Sequence, residues 1–225
     1  MNAHSIKIAP SLLSADFANL ERDVRACAEG GADMLHVDVM DGHFVPPITM
    51  GPVVMKALKR ITSLPLDVHL MVTNADHQVE QFAAEGADMI SVHAEVCPHL
   101  HRTLHLIRDL ECKAGVVLNP VTPLTFAMEA AEAADFVLLM SVNPGYGGQN
   151  FIPSFLKRCE QLRTWLDNGG LSHVEIQVDG GVKVDNARQI VEAGANILVS
   201  GSGLMHGDVA ANIRAMRIAT DVTRL

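Results

Sequence analysis

Short apolar runs alternate with longer amphipathic stretches along the whole chain. The runs predict strands over Ile6 to Leu13, Met34 to Val39, Leu66 to Leu70, Met89 to Val92, Lys113 to Leu118, Phe136 to Met140, Val174 to Val178 and Ile197 to Ser200. The stretches between them predict helices over Asp16 to Glu29, Pro52 to Arg60, Asp76 to Glu85, His99 to Leu110, Leu124 to Ala133 and Asp185 to Ala193. A further helix opens at Pro153, and a last one runs from Val209 to the C-terminus. Local chemistry agrees with these limits. Ser14 can cap the first helix, Gly30 with Gly31 and Gly86 close helices, and Pro153 suits a first turn.

Eight strands alternating with eight helices, with no linker in 225 residues, predict an α/β protein: one (β/α)8 TIM barrel forming a single catalytic domain over 1–225. The strand runs are apolar on both faces, as buried parallel strands are. An open doubly wound sheet is the alternative. No G-x-G-x-x-G follows the first strand, which counts against it and against a nucleotide cofactor. An internal repeat supports closure. Gly31-Ala32-Asp33, Gly86-Ala87-Asp88, Ala133-Ala134-Asp135 and Gly194-Ala195-Asn196 each lead into an even-numbered strand, a period of two βα units.

Composition narrows the partners. Hydrophobic residues are 48% and aromatic ones 4%, so aliphatic side chains and Met fill the core. A net charge of −9 argues against nucleic acid or an anionic membrane. The four cysteines form no C-x-x-C pair, which predicts reduced structural thiols. The opening MNAHSIKIAPSLL has no leader pattern and no apolar run approaches a membrane span, so a cytoplasmic protein is expected.

The chemistry collects at strand ends. In LHVDVMDGHFVP, strand alternation puts His36, Asp38 and Met40 on one face. The same rule groups Asp67, His69 and Met71, and Glu175, Gln177 and Asp179. A buried His beside an Asp is commonly a hydrogen-bonded core pair. His36, Asp38, His69 and Asp179, however, share one height at strand ends that converge on one barrel mouth. They form a donor set for one divalent ion: Zn²⁺, Fe²⁺, Mn²⁺ or Co²⁺. Asp67 and Gln177, one layer deeper, are candidates to orient the ligands.

Glycines form a second cluster: Gly145, Gly147 and Gly148, then Gly180 and Gly181, then Gly201 and Gly203 around Ser202. These loops, with the helix N-terminus expected after strand eight, predict a phosphate grip made mostly of backbone. Met40, Met71 and Met140 also end strands, as gap filler or as an apolar lid. His93 and Glu95 end strand four, where position alone puts them at the mouth; they and His43 rank second, and His101 with His105 predict a solvated helix face.

The segments APSLLSADF, HVDVMDGHFVP, DVHLMV, SVNPGYGGQNF and VDGGV occur in order along the chain, which closely resembles the ribulose-phosphate 3-epimerase family. The resemblance implies interconversion of D-ribulose 5-phosphate and D-xylulose 5-phosphate in pentose phosphate metabolism. It implies His36, Asp38, His69 and Asp179 as metal ligands, and Asp38 with Asp179 as the proton-transfer pair. It implies substrate contacts from Ser11, His69, Gly145, Tyr146, Gly147, Gly148, Asp179, Gly180, Gly181, Gly201 and Ser202, an apolar cap of Met40, Met71 and Met140, and a homo-oligomer. Pro47, Met50 and Gln177 depart from the family's usual pattern, and Gln177 removes a charge near the expected metal. The rivals are a 3-epimerase of another ketose phosphate such as allulose 6-phosphate, and a non-catalytic barrel that binds phosphate or metal. A Schiff-base aldolase is disfavoured because no Lys ends a strand.

Overall fold

The computed structural model describes residues 5–221. Eight strands alternate with eight helices: β1 (Lys7–Pro10), α1 (Leu20–Gly30), β2 (Leu35–Met40), α2 (Pro52–Ile61), β3 (Leu66–Met71), α3 (Ala75–Ala84), β4 (Met89–His93), α4 (Leu100–Asp109), β5 (Lys113–Leu118), α5 (Thr125–Ala130), β6 (Phe136–Met140), α6 (Ser154–Asn168), β7 (Glu175–Asp179), α7 (Val184–Glu192), β8 (Ile197–Ser200) and α8 (Val209–Ala219). All strands are parallel in one sheet, ordered β1-β8-β7-β6-β5-β4-β3-β2. The seam between β1 and β2 is closed by a single parallel bridge, Ser11 to His36. This is the expected (β/α)8 barrel.

The boundaries at the start of the chain differ from expectation by three and four residues, and helix α5 ends at Ala130 rather than Ala133. The first strand stops at Pro10, and the first helix starts at Leu20 rather than Asp16. Between them lie two 3-10 turns, Leu12–Ser14 and Phe17–Asn19. Their cause is local: the Ser11 and Asp16 side chains accept the Leu13 and Ala18 amides, which diverts the backbone from both strand and helix. At the other end α8 stops at Ala219, and the last part of that expectation lies outside the described residues.

The repeat has a physical meaning. In each copy the Asp or Asn side chain accepts the amide of one residue in the preceding odd strand, and its own amide donates back to that residue's carbonyl. Asp33 holds Ile8 at 2.7 and 3.0 Å, Asp88 holds Leu66 at 2.8 and 2.9 Å, Asp135 holds Ala114 at 2.8 Å both ways, and Asn196 holds Ile176 at 2.9 and 2.7 Å. Each clamp ties an odd strand to the next even one at the end opposite the mouth. The three Asp copies have cation partners: Arg217 at 2.5 Å, Lys59 at 2.9 Å and Arg108 at 3.9 Å. The fourth copy is a neutral Asn. The Asp33 clamp lies at the one seam without a regular ladder, so Asp33→Ala is expected to cost about 1–3 kcal/mol in urea unfolding. A smaller loss there than for Asp88→Ala would count against the clamp as the seam's fastening.

The main core lies between the sheet and the helices, and a second cluster of Ala9, Met34, Met89, Phe136, Ile197 and Val199 packs separately from it. A Cβ on Gly115 would meet the Phe136 ring at 2.3 Å, so Gly115 makes room for that ring. The four cysteines are buried and unpaired, and burial pushes the Cys27 and Cys159 thiols up to about 12, out of reach of thiolate chemistry. No helix among the described residues is long and apolar enough to cross a membrane.

Candidate active site

Strand register brings the polar residues of the mouth together. His36 pairs with Asp67, Asp38 with His69, Met40 with Met71, and Met140 with Asp179. One ligand atom from each of His36, Asp38, His69 and Asp179 lies within 4.8 Å of the others. Asp38 Oδ1 is 3.3 Å from His36 Nε2 and 3.2 Å from His69 Nδ1, and His69 Nδ1 is 3.8 Å from Asp179 Oδ2.

Neighbours orient these groups. Asp67 Oδ2 accepts an amide hydrogen from Gln177, so it is an acceptor for His36 Nδ1 at 2.7 Å. His36 then turns Nε2 into the site, and that buried atom has no hydrogen-bond partner. Ser11 Oγ donates to Asp38 Oδ2 at 2.5 Å. Thr49 Oγ1 donates to the Asp38 carbonyl at 2.6 Å and accepts the Met40 amide at 3.0 Å, which holds the end of β2.

The charges are uneven. Burial opposes ionisation of Asp38, but His36 and His69 outweigh it and hold its carboxyl below the usual range. Asp179 goes the other way: burial, then the negative charge of Asp38, push it up to about 6. Burial also opposes a charged His36, yet Asp38 and Asp67 hold its pKa well above the usual value. Two carboxylates and an orphaned imidazole nitrogen facing one point suit a divalent cation, which would take the place of that ring proton. The donor set therefore fits a metal ion.

A cleft opens above these four residues. Ser11, Asp38, Asp179, Gly145, Tyr146, Gly147, Gly148, Gly180, Gly181, Gly201 and Ser202 all line it, and so do Met40, Met71 and Met140. His36 and His69 do not line it. Both are fully buried beneath it, with His69 engaged at both nitrogens. Met40 and Met71 pack with Val45, while Met140 packs with Val117, Leu138 and Val142.

The glycine loops contain no Lys or Arg that reaches the cleft wall. Gly180 has φ +118 and a Cβ there would lie 2.4 Å from Val142 Cγ2; Gly181 has φ +64 and a Cβ there would lie 2.5 Å from the Phe151 amide nitrogen. Backbone comes this close only with glycine. The expected helix N-terminus after β8 is not at the cleft. A turn follows instead, with the Leu204 and Met205 amides donating to the Gly201 carbonyl at 3.0 and 2.9 Å. The N-terminus of α8 is already satisfied by Asp208, which accepts the Ala211 amide at 2.9 Å.

Several residues escaped the sequence reading. Ser14 and Gln149 line the cleft, although neither is at a strand end or in a glycine pair. His93 is fully buried behind His69, with Nε2 to Nε2 at 2.9 Å, and is not at the mouth surface. Burial pulls His93 down to about 4, which leaves the ring neutral. His101 and His105 are exposed on α4 and His43 is exposed in the β2–α2 loop. Of the three departures, Gln177 orients Asp67, Met50 is buried in the main core, and the Pro47 carbonyl accepts the Gly42 amide at 2.9 Å.

Asp41, just past β2, pins the mouth. It accepts amides from His43, Phe44 and Thr73 at 2.8, 2.9 and 2.8 Å. Partial burial opposes its charge, but these donors, Thr73 first, hold it down at about 2. A depressed carboxyl adds stability above its unfolded pKa and loses it as pH falls through the folded one. The difference between wild type and Asp41→Asn is expected to be full above pH 4 and gone near pH 2, at about 1 kcal/mol after solvent screening. Acid titration of unfolding free energy for both proteins checks this; a constant difference across that window contradicts it.

Fold and site together define a (β/α)8-barrel enzyme whose mouth combines a divalent-metal donor set with a glycine-walled cleft. The profile of the Ribulose-phosphate 3 epimerase family matches residues 7–205. Ribulose-phosphate 3-epimerase of Bacillus subtilis is 52% identical over 199 residues, 88% of this chain and 92% of that protein. The Synechocystis enzyme is 52% identical over 204 residues, covering 90% and 88%, and the Escherichia coli K12 enzyme 48% over 198 residues, covering 88% of each. The chain belongs to the ribulose-phosphate 3-epimerase family. Among solved structures, a 3-hexulose-6-phosphate synthase superposes with TM-score 0.70 at 19% identity over 95% of this chain and 99% of that one. KGPDC from Streptococcus mutans does so with TM-score 0.70 at 15% identity, over 96% and 97%. Likenesses this remote bear on the fold alone.

Proposed function

We propose that the chain, as one catalytic domain over 1–225, inverts C3 of D-ribulose 5-phosphate to give D-xylulose 5-phosphate. The observation that carries the reading is the pair Asp38 and Asp179. These are two carboxyl groups lining one cleft, one held ionised and the other held up to about 6. Inversion beside a ketone needs a proton removed from one face and one delivered to the other, and two such groups divide that work. Asp38 takes the C3 proton of D-ribulose 5-phosphate, and Asp179 returns one to the opposite face. Ser11 holds Asp38 in place.

His36, Asp38, His69 and Asp179 hold the divalent ion, one of Zn²⁺, Fe²⁺, Mn²⁺ and Co²⁺. When bound, such an ion polarises the substrate ketone and stabilises the enediolate charge. The backbone amides of Gly147, Gly148, Gly180, Gly181, Gly201 and Ser202 take the phosphate, remote from C3, and so orient the sugar. Met40, Met71 and Met140 form an apolar cap that excludes water from the carbanionic stage. A cytoplasmic homo-oligomer completes the reading.

The test runs the purified chain in D₂O with D-ribulose 5-phosphate and, separately, allulose 6-phosphate. Deuterium should enter C3 of the pentulose as xylulose 5-phosphate forms, with the hexulose turned over at least ten times more slowly. A preference for the hexulose moves the assignment to that substrate. No exchange with either sugar, in protein loaded with each of the four metals, leaves a non-catalytic barrel.

A further inference from the structure

Two groups behind His69, the buried His93 and the solvent-facing Glu95, take no part in the proton transfers described above. We propose that Glu95, acting through His93, fixes His69 in the tautomer that turns its Nδ1 lone pair toward Asp38 and Asp179, so that both are positioning residues for a metal ligand. The inference rests on the proposed metal site and adds the device that sets its geometry.

Glu95 lies in the 3-10 turn Ala94–Val96 that follows β4. Its Oε1 accepts the Asn119 amide at 2.8 Å and the Thr122 hydroxyl, both from the loop after β5. An ionised carboxylate so held offers only acceptors. Its Oε2 is 3.1 Å from His93 Nδ1, so that nitrogen carries the hydrogen. A neutral ring protonated at Nδ1 has its lone pair at Nε2. His93 Nε2 is 2.9 Å from His69 Nε2, a gap that holds one hydrogen, and the hydrogen must therefore be on His69. With that hydrogen on Nε2, Nδ1 is the atom whose hydrogen, shared with Asp38 in the metal-free site, a cation displaces to take the lone pair. That atom is the one 3.2 Å from Asp38 Oδ1 and 3.8 Å from Asp179 Oδ2.

Packing keeps the chain in register. The His69 and His93 rings stack at 5.0 Å with 26° between planes, and Phe44 packs on His93 at 4.6 Å. Both imidazoles are fully buried, so water does not compete for their nitrogens. His36 is set by Asp67 directly. The two ligating rings are thus each oriented by a carboxylate, one of them at a remove of one imidazole.

Glu95→Gln isolates the effect. The Gln carbonyl would stay with the Asn119 and Thr122 donors, and its amide N–H would face His93 Nδ1. Every hydrogen in the chain then shifts by one place, and His69 Nε2 becomes an acceptor. Glu95→Ala removes more contacts but lets His93 keep its tautomer. In the full-length chain, Zn(II) affinity is expected to fall about 10–100-fold in Glu95→Gln and by less in Glu95→Ala. In ¹⁵N–¹H spectra of the metal-free chain, His69 Nε2 should be protonated in wild type and unprotonated in Glu95→Gln.

A purely structural Glu95 gives the reverse order, Ala worse than Gln, with an unchanged His69 pattern, and that overturns the proposal. Wild type that binds Zn(II) and epimerises with no hydrogen on His69 Nε2 overturns it too, while leaving the epimerase reading intact. Wild type that binds no divalent ion defeats both. The wild-type spectrum decides the tautomer even if a variant fails to fold.

Discussion

Asp38→Asn is expected to slow epimerisation of D-ribulose 5-phosphate by about 10²–10⁴-fold, the range that one positioned acid or base contributes. The Asn side chain keeps the shape of Asp38 and an oxygen for the Ser11 hydroxyl, so the barrel should fold as before. It cannot take a proton. Starting from ribulose 5-phosphate in D₂O, Asp38→Asn should therefore lose both C3 exchange and inversion. Asp179→Asn should separate the two. Its Asp38 still removes the proton, but the opposite face has no donor, so exchange outlasts inversion. Metal content measured alongside guards against simple loss of a ligand. Unimpaired exchange in Asp38→Asn with metal bound would sink the role given to Asp38.

Metal removal should be comparable in size. Stripping the protein with a chelator is expected to lower turnover on the order of 10³-fold, because several kcal/mol of charge stabilisation are lost. Adding back Zn²⁺, Mn²⁺, Fe²⁺ and Co²⁺ in turn should restore it and rank the ions. The melting temperature should also drop on stripping, since a ligand bound only by the folded state stabilises it. His36 and His69 on β2 and β3 would lose a common anchor. Full turnover in protein shown by elemental analysis to be metal-free would overturn the metal assignment.

The first helix starts late because side-chain caps at Ser11 and Asp16 compete locally with regular structure. After β8 the backbone turns on the Gly201 carbonyl, and the last helix begins at Val209 behind its Asp208 cap. Ser and Asp were visible in the chain, but whether each caps, turns or faces solvent depends on neighbours far away in sequence. Ser14 shows the same limit: it reaches the cleft only because its turn folds beneath Gly147 and Gly201.

What the sequence determined by itself is whatever obeys a local period. Alternation along a strand assigned His36, Asp38 and Met40 to one face, as it did Asp67, His69 and Met71, and Gln177 with Asp179. Strand count and the Asx repeat determined the barrel, since a small residue and an Asp or Asn before each even strand state the same clamp four times. What only the tertiary structure decided is which of these faces meet, and at what height. Register across β2 and β3 sets Asp38 beside His69. Closure of the seam sets Ser11 on Asp38, Gln177 reaches across to Asp67, and Glu95 meets His93 behind the ligands. Strand stagger around a closed barrel is a property of all eight strands and their packing at once. No single segment carries it, so the candidate donors, and Asp67 with Gln177 one layer deeper, were legible in the chain, while the contacts of Ser11 with Asp38 and of Glu95 with His93 were not.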